Sequence, residues 1–162
     1  MAPVVDPIET FRKENEEALE IISQLGSAAE FISENGFSFD AFEQIVNVVE
    51  FIDDKVRKHT EKEEKILFPL MERHINGRTQ SMRIEHKELW RAFATLKDCV
   101  KDVEDLRIHA MTVRDLVASS RTIVEYLVKH IQKENGVYFP EAKEILTQIE
   151  YEQLRTEIAK AP

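Results

Sequence analysis

Lys58-His59-Thr60-Glu61-Lys62-Glu63-Glu64-Lys65-Ile66-Leu67-Phe68-Pro69 and Lys129-His130-Ile131-Gln132-Lys133-Glu134-Asn135-Gly136-Val137-Tyr138-Phe139-Pro140 share one frame, Lys-His-x-x-Lys-Glu-x-x-x-x-Phe-Pro. A His and a Glu four apart stand on the same helix face, about 6 Å apart along the axis, so the pair can grip one metal ion together. Proline has no N–H to donate and clashes with the preceding turn, so Phe-Pro is expected to end or bend each helix at the same distance beyond its pair. Each copy therefore reads as the late part of a helix with two ligands in its last turns.

Working outward, helix follows helix. Asp6-Pro7-Ile8-Glu9 has the form of a helix start, with Asp as N-cap and Pro at the first helical position. Ile8, Phe11, Asn15, Ala18, Ile22, Leu25, Ala29 and Ile32 then keep 3-4 spacing, a buried stripe whose one polar member is Asn15. This predicts a first helix over about 7–35, stopped by Gly36, and a second beginning near 41 behind an Asp40–Glu43 capping box. The second stripe is Ile45, Val48 or Val49, Ile52, Val56, His59, Glu63 and Ile66. Asn76-Gly77 signals a turn, and Met82, His86, Leu89, Phe93, Leu96, Val100 and Val103 form the third. The phase is unbroken onward, so a turn is placed within 104–111 on helix length. Val113, Leu116, Ser120, Ile123, Leu127, His130, Glu134 and Val137 make the fourth, and about 141–160 a shorter amphipathic helix carrying Ile145, Ile149, Leu154 and Ile158.

The expected fold is all-α, an up-down-up-down four-helix bundle over about 7–140 with a short extra C-terminal helix, and one domain across 1–162. Alternating direction brings Asn15, His59, Glu63, His86, His130 and Glu134 to one end. Were the third and fourth helices one rod, His86 and His130 would stand roughly 66 Å apart, so the turn and the shared site stand or fall together. Three imidazoles and two carboxylates suit iron, and also manganese or zinc. An ion would also remove the cost of burying Glu63 and Glu134, which Glu–His⁺ pairing alone must otherwise meet.

Composition narrows the rest. The 162 residues are 43% hydrophobic and 33% charged with four Gly and five Pro, the profile of a helical domain large enough for a real core. A net charge of −9 argues against nucleic acid and anionic membranes as partners. One cysteine, Cys99, rules out an internal disulfide. No basic-then-apolar opening and no long apolar run occurs, so a cytoplasmic protein is expected. His74 reads as solvated, His109 as lying at the far end, Trp90 and Phe93 as core, Cys99 as a buried small apolar residue, and the acidic run Glu61–Glu64 off the seam as a solvated face.

The doubled His-x-x-x-Glu with Phe-Pro, together with Ile84-Glu85-His86 between the copies, resembles the hemerythrin-like HHE cation-binding family over about residues 7–140. The resemblance implies a four-helix bundle around a carboxylate-bridged, non-haem di-iron site. His59, His86 and His130 then stand as terminal ligands and Glu63 and Glu134 as bridges. Two positions depart from it. Asn15 follows Glu14 where the family places a histidine, and Trp90 stands where O₂-carrying members have a second histidine in the third helix. Glu14, Glu16 or Glu61 could substitute, and Asn15 could offer its amide oxygen as a weak ligand. With fewer than five histidines, the expected role is binding or sensing of O₂ or another small diatomic molecule, or iron handling, rather than O₂ storage. Two other classes stay open: a di-iron or mononuclear oxidase or peroxidase, and a metal-free helical interaction module, with a homodimer among the assemblies the fifth helix allows.

Overall fold

A computed structural model describes residues 5–75 and 78–162. The predicted turn at Asn76-Gly77 and residues 1–4 lie outside them. Among the described residues every regular element is helical. In chain order these are α1 (Pro7–Asn35), α2 (Phe39–Phe51), α3 (Arg57–Lys62), α4 (Phe68–Met71), α5 (Arg78–Glu104), α6 (Ala110–Lys133), α7 (Phe139–Ile145) and α8 (Gln148–Lys160). Wide π-helical turns at Ile52–Val56 and Glu63–Leu67 join α2, α3 and α4 into one rod, and another at Glu134–Tyr138 joins α6 to α7. α1 packs against α2 and α6, and α5 against α6. No described helix is long and apolar enough to cross a membrane.

The boundaries follow local chemistry. The Asp6 carboxylate accepts hydrogen bonds from the backbone N–H of Ile8 (3.0 Å) and Glu9 (3.4 Å), and Gly36 leaves α1 at φ 88°, a conformation that favours glycine. α2 begins earlier than expected, because the Ser38 hydroxyl caps Ala41 N–H at 3.3 Å in place of the Asp40 box. The break between α5 and α6 falls within the expected stretch, at Asp105–His109, where Leu106 takes φ 64°.

Two expectations fail for one reason. Ile66 is only partly buried and Val137 is 48% exposed, while Leu67 and Phe139 are fully enclosed. A π turn accommodates an extra residue, so the buried seam slips by one or two positions beyond Glu63 and Glu134. The prolines explain its location: Pro69 and Pro140 cannot donate to the turn before them, and α4 and α7 restart behind that turn with proline in their first positions. Each Phe-Pro therefore follows a π turn within its rod and does not end it. The segment beyond Pro140 is likewise two elements. Thr147 accepts from Glu150 N–H and the Glu150 carboxylate accepts from Thr147 N–H, a capping box that starts α8 afresh. Ile149, predicted on a buried face, is 81% exposed; Leu154 carries the contact.

The two halves of the chain keep one register through the bundle, apart from the π turn at Ile52–Val56, which α6 lacks. The constant offset that carries His59 onto His130 also carries the α1 start onto the α5 start, the α2 start onto the α6 start, and Glu63–Leu67 onto Glu134–Tyr138. It also pairs buried Ile22 with Phe93, Leu25 with Leu96, Ala29 with Val100, Ile45 with Leu116 and Ile52 with Ile123. The interior is accordingly layered. One apolar cluster contains Ala18, Val56, Leu89, Leu127 and Ile131; the other contains Ile8, Phe11, Leu67, Phe68, Met82, Phe139 and Leu154. Along each rod a polar stretch separates them.

Candidate metal centre

That polar layer is Asn15, His59, Glu63, His86, His130 and Glu134, all buried. One ligand atom from each of Glu63, His86, His130 and Glu134 lies within 4.8 Å of every other, close enough for a single ion to touch all four. His86 Nε2 and His130 Nε2 are 3.2 Å apart, and His130 Nε2 is 3.5 Å from Glu134 Oε1. His59 lies across the carboxylates from this imidazole pair, its Nε2 3.1 Å from Glu63 Oε1 and 3.5 Å from Glu134 Oε1. The structure thus brings together the five residues predicted to hold metal. Asn15 joins as a donor, its Nδ2 3.2 Å from Glu134 Oε1 and 3.1 Å from Asn135 Oδ1. His109 caps α6 away from the layer, and His74 pairs instead with Glu150 at 2.6 Å. Trp90 stacks under the Arg57 guanidinium (4.1 Å) and packs on Phe93, while Cys99 is only partly buried.

Each imidazole is oriented from behind. His59 Nδ1 meets Glu14 Oε1 at 3.1 Å, His86 Nδ1 meets Glu64 Oε1 at 2.9 Å, and His130 Nδ1 meets Glu85 Oε2 at 3.1 Å. An Nδ1–H donated to a carboxylate leaves the Nε2 lone pair facing the centre, the arrangement a metal-bound histidine needs. Lys62 holds Glu14 at 2.8 Å and Lys133 holds Glu85. The π turns are clamped: Arg83 Nη2 donates to the Glu64 carbonyl (3.2 Å) and Arg12 Nη2 to the Asn135 carbonyl (2.9 Å). Aromatic rings close the end of the layer, Phe68 stacked on His86 and Phe11 edge-on to His59 and stacked on Phe139.

The supporting role of Glu64 and Glu85 was missed from sequence, and Glu14, expected as a possible substitute ligand, stands behind His59 instead. Glu64 looked like part of a solvated acidic face, yet its carboxylate orients His86. A signal was present, since Arg12, Glu14 and Lys62 recur as Arg83, Glu85 and Lys133 at the offset of the His-x-x-x-Glu copies. Reading it required knowing that the residue before a seam position on one rod faces the histidine of the next.

The donor set fits a cation. Glu63 Oε2 and Glu134 Oε2 are buried with no hydrogen-bond partner among the described residues, and Glu63 Oε1 and His59 Nε2 approach to 3.1 Å without hydrogen-bond geometry, a costly condition that a metal ion relieves. With both Nδ1 atoms donating outward, the Nε2 lone pairs of His86 and His130 point at each other across 3.2 Å, and need an ion or a proton between them. In the metal-free protein, burial and the Glu134 charge drive the Glu63 pKa well above the carboxylate range. For Glu134, burial is outweighed by its contact with Glu63 and by His130 and His59, which hold it below that range. The two carboxyls are thus driven apart, the proton favoured on Glu63 and the charge on Glu134, as happens for closely spaced carboxylates. Burial pushes His59 down, but Glu63, Glu134 and Glu14 raise it well above its ordinary value; burial and His130 lower His86. Outside, hydrogen bonding from His130, against partial burial, draws Glu85 down to about 2.

Comparison with known proteins agrees with this geometry. The Hemerythrin HHE cation binding domain matches residues 6–142. Three curated relatives are iron-sulfur cluster repair proteins YtfE, from Salmonella schwarzengrund (strain CVM19633), Salmonella typhimurium (strain LT2) and Dickeya chrysanthemi (strain Ech1591). Each is 30% identical over 95 residues, covering 56% of this chain and 43% of the relative. The chain thus spans less than half the length of these relatives. With a family match across nearly the whole bundle and a buried His/Glu cluster at its heart, the chain belongs to the hemerythrin HHE cation-binding family.

Proposed function

We propose that this protein is a non-haem iron protein, an up-down-up-down four-helix bundle whose centre takes iron, two ions being favoured over one, and binds or senses a small diatomic molecule rather than storing O₂. The observation that carries this reading is the buried set Glu63, His86, His130 and Glu134, with ligand atoms within 4.8 Å of one another and carboxylate oxygens left without hydrogen bonds. Glu63 and Glu134 approach His59 (3.1 and 3.5 Å) and also the His86 and His130 imidazoles (3.8 and 3.5 Å), which supports a reading in which they would help to hold more than one ion. Asn15 donates to Glu134 and adds no imidazole, so the donor set is one histidine poorer on the α1 side.

Bound iron would supply one-electron chemistry and an open position for a small ligand. The protein's own part is to fix the imidazoles through Glu14, Glu64 and Glu85, to keep bulk water out with Phe11, Phe68 and Phe139, and to give up the proton that burial favours on Glu63, since a carboxylate must be deprotonated to hold a cation. Iron content after anaerobic loading, with spectra before and after air, tests the proposal. It expects one to two irons per chain, lost in His86→Ala; reversible oxy bands at two irons per chain would contradict the non-storage role.

A second reading follows from the relatives' names. An iron centre with an open side could release iron, as repair of an iron-sulfur cluster requires. This chain has one cysteine, so the cluster's thiolates would come from the protein under repair. Recovery of a damaged cluster enzyme on mixing with the iron-loaded protein, absent with His86→Ala, distinguishes this role.

A further inference from the structure

The register of the two halves lets each surface position of one half be compared with its counterpart in the other. The α1–α2 hairpin from Glu14 to Asp54 carries 11 acidic residues and no Lys or Arg. The matched stretch of α5 and α6, Glu85 to Glu125, carries eight acidic and seven basic residues. At four exposed positions the sign reverses outright: Glu16, Glu20, Glu43 and Glu50 stand where the other half has Lys87, Arg91, Arg114 and Arg121. Both stretches form the same pair of helices, so folding does not require this charge. Four of the 11 acids are neutralised within the chain, Glu14 by Lys62, Glu30 by Arg121, Asp53 by Arg57 and Lys97, and Asp54 by Lys58; the other seven make no ion pair among the described residues.

The same hairpin exposes two aromatic rings. Phe31, one turn before α1 ends, is 50% exposed, and Phe39, which opens α2, is 66% exposed; their counterparts are Asp102 and Ala110. Phe39 is held edge-on to Phe37, ring centres 5.1 Å apart. The connection between α5 and α6 also exposes Leu106 and Met111, but among charges of both signs. Helical spacing carries Phe31 back to Glu20 and Glu16 on the outer side of α1, and Phe39 on to Glu43 and Glu50 on that of α2. Each rod thus presents a ring near the tip and acids along its stem.

We propose that the outer face of the α1–α2 hairpin docks a cationic, amphipathic segment of a partner protein, whose apolar side chains seat on Phe31 and Phe39 and whose Lys or Arg side chains meet Glu16, Glu20, Glu43 and Glu50. The class follows from the charge and the rings together. Nucleic acid and anionic membranes are repelled, and a net charge of −9 repels a second copy. A bare cation would satisfy the acids and leave the rings unused. A helix with one basic and one apolar face meets both, and its cations can also lie over the ring faces. The acids steer the encounter and fix register, while the covered rings supply most of the affinity. The surface is formed with or without metal, so the proposal stands apart from the iron reading.

The test titrates the full chain into a fluorescein-labelled helical peptide of leucine and lysine, with one apolar and one basic face, and reads anisotropy at low and at physiological salt. Two variants carry four charge reversals each. One imports the residues of the other half: Glu16→Lys, Glu20→Arg, Glu43→Arg and Glu50→Arg. The other makes the same change in net charge elsewhere: Glu104→Lys, Glu125→Lys, Glu144→Lys and Glu157→Lys. The first is expected to bind about tenfold or more weakly at low salt, the second nearly as wild type. Phe31→Asp with Phe39→Ala should weaken binding at both salt concentrations. Equal losses in the two charge variants would show attraction to the whole molecule and overturn the proposal. So would equally tight binding of a peptide whose leucines are replaced by serine. Carbodiimide coupling of peptide lysines to wild-type carboxylates needs no variant to fold: adducts concentrated on Glu16, Glu20, Glu43 and Glu50 support the assignment, and adducts spread over the other half overturn it. Dimers of the chain alone, seen by ultracentrifugation and abolished by Phe31→Asp with Phe39→Ala, would give the face to a second copy instead.

Discussion

Truncating Glu85 separates a metal centre supported from behind from a chance cluster of buried polar groups. Glu85 Oε2 lies 3.1 Å from His130 Nδ1, and its other oxygen is held by Lys133. The carboxylate is 16% exposed and its pKa lies at about 2, so it is charged across the neutral range. A hydrogen bond to a charged acceptor contributes about 1.5–3 kcal/mol, and loss of an outer partner of a metal-bound histidine typically costs 10–100-fold in affinity, about 1.4–2.8 kcal/mol. The two ranges agree. Glu85→Ala should therefore weaken metal binding about 10–100-fold, because His130 loses both its tautomer bias and its fixed ring orientation. Glu85→Gln, which keeps an acceptor and loses the charge, should cost less than the alanine variant. Competition of ferrous ion or Zn²⁺ against a chromophoric chelator measures both, with thermal unfolding of the metal-free proteins as the control. Tyr126 donates to the Glu85 backbone carbonyl (2.9 Å), so that link survives either change. Metal affinity unchanged in Glu85→Ala, in a protein that unfolds like wild type, would refute the reasoning.

Glu63→Gln should act with opposite signs on the two forms: metal-free stability rises by on the order of 1 kcal/mol, since the amide is neutral without the proton that the buried Glu63 carboxyl takes up on folding, while metal-induced stabilisation is largely lost; thermal scans with and without Zn²⁺ read both. Asn15→His combined with Asn135→Glu rebuilds the corner in the form it has at His86 and Glu64, and should raise metal affinity more than the two single changes added together; additive effects in the chelator assay count against the duplicated geometry. Glu150, held to about 2 by the Thr147 N–H and by His74 against slight burial, has a folded pKa below its ordinary 4.5, so its contribution is present above 4.5 and lost as pH falls toward about 2; hydrogen exchange along α8 should rise in that window, and an exchange rate flat with pH, once corrected for intrinsic chemistry, would show that the clasp contributes nothing. Leu154→Ala should loosen the same helix, at a cost of about 2–5 kcal/mol to its docking, measured by protection of α8 amides against those of α5.

Much of the centre was legible in the chain because a helix imposes a strict period. Once Ile8 to Ile32 and Met82 to Val103 are seen to share 3-4 spacing, Asn15 and His86 must face inward with their apolar neighbours, and both are buried. The same period carries His59, Glu63, His130 and Glu134 to the interior, and the doubled frame says that they come as two like pairs. Other features were invisible for definite reasons. A π turn changes the period without changing the residue types, so the exchange of Ile66 for Leu67 and of Val137 for Phe139 on the buried face could not be read from spacing. The orienting role of Glu64 and Glu85 depends on which rod stands beside which, and a charged residue next to a seam looks the same whether it faces water or a neighbouring imidazole. Sequence by itself determined the helices, their inward faces and the identity of the buried donors, because these follow from backbone periodicity and the cost of burying polar groups. Only the tertiary structure decided that Nδ1 of every histidine in the layer has a carboxylate behind it, that the second and fourth rods carry π turns beyond Glu63 and Glu134, and that Asn15 and Ala18 line a cavity beside the centre. Those properties belong to distances between rods, and no single helix encodes them.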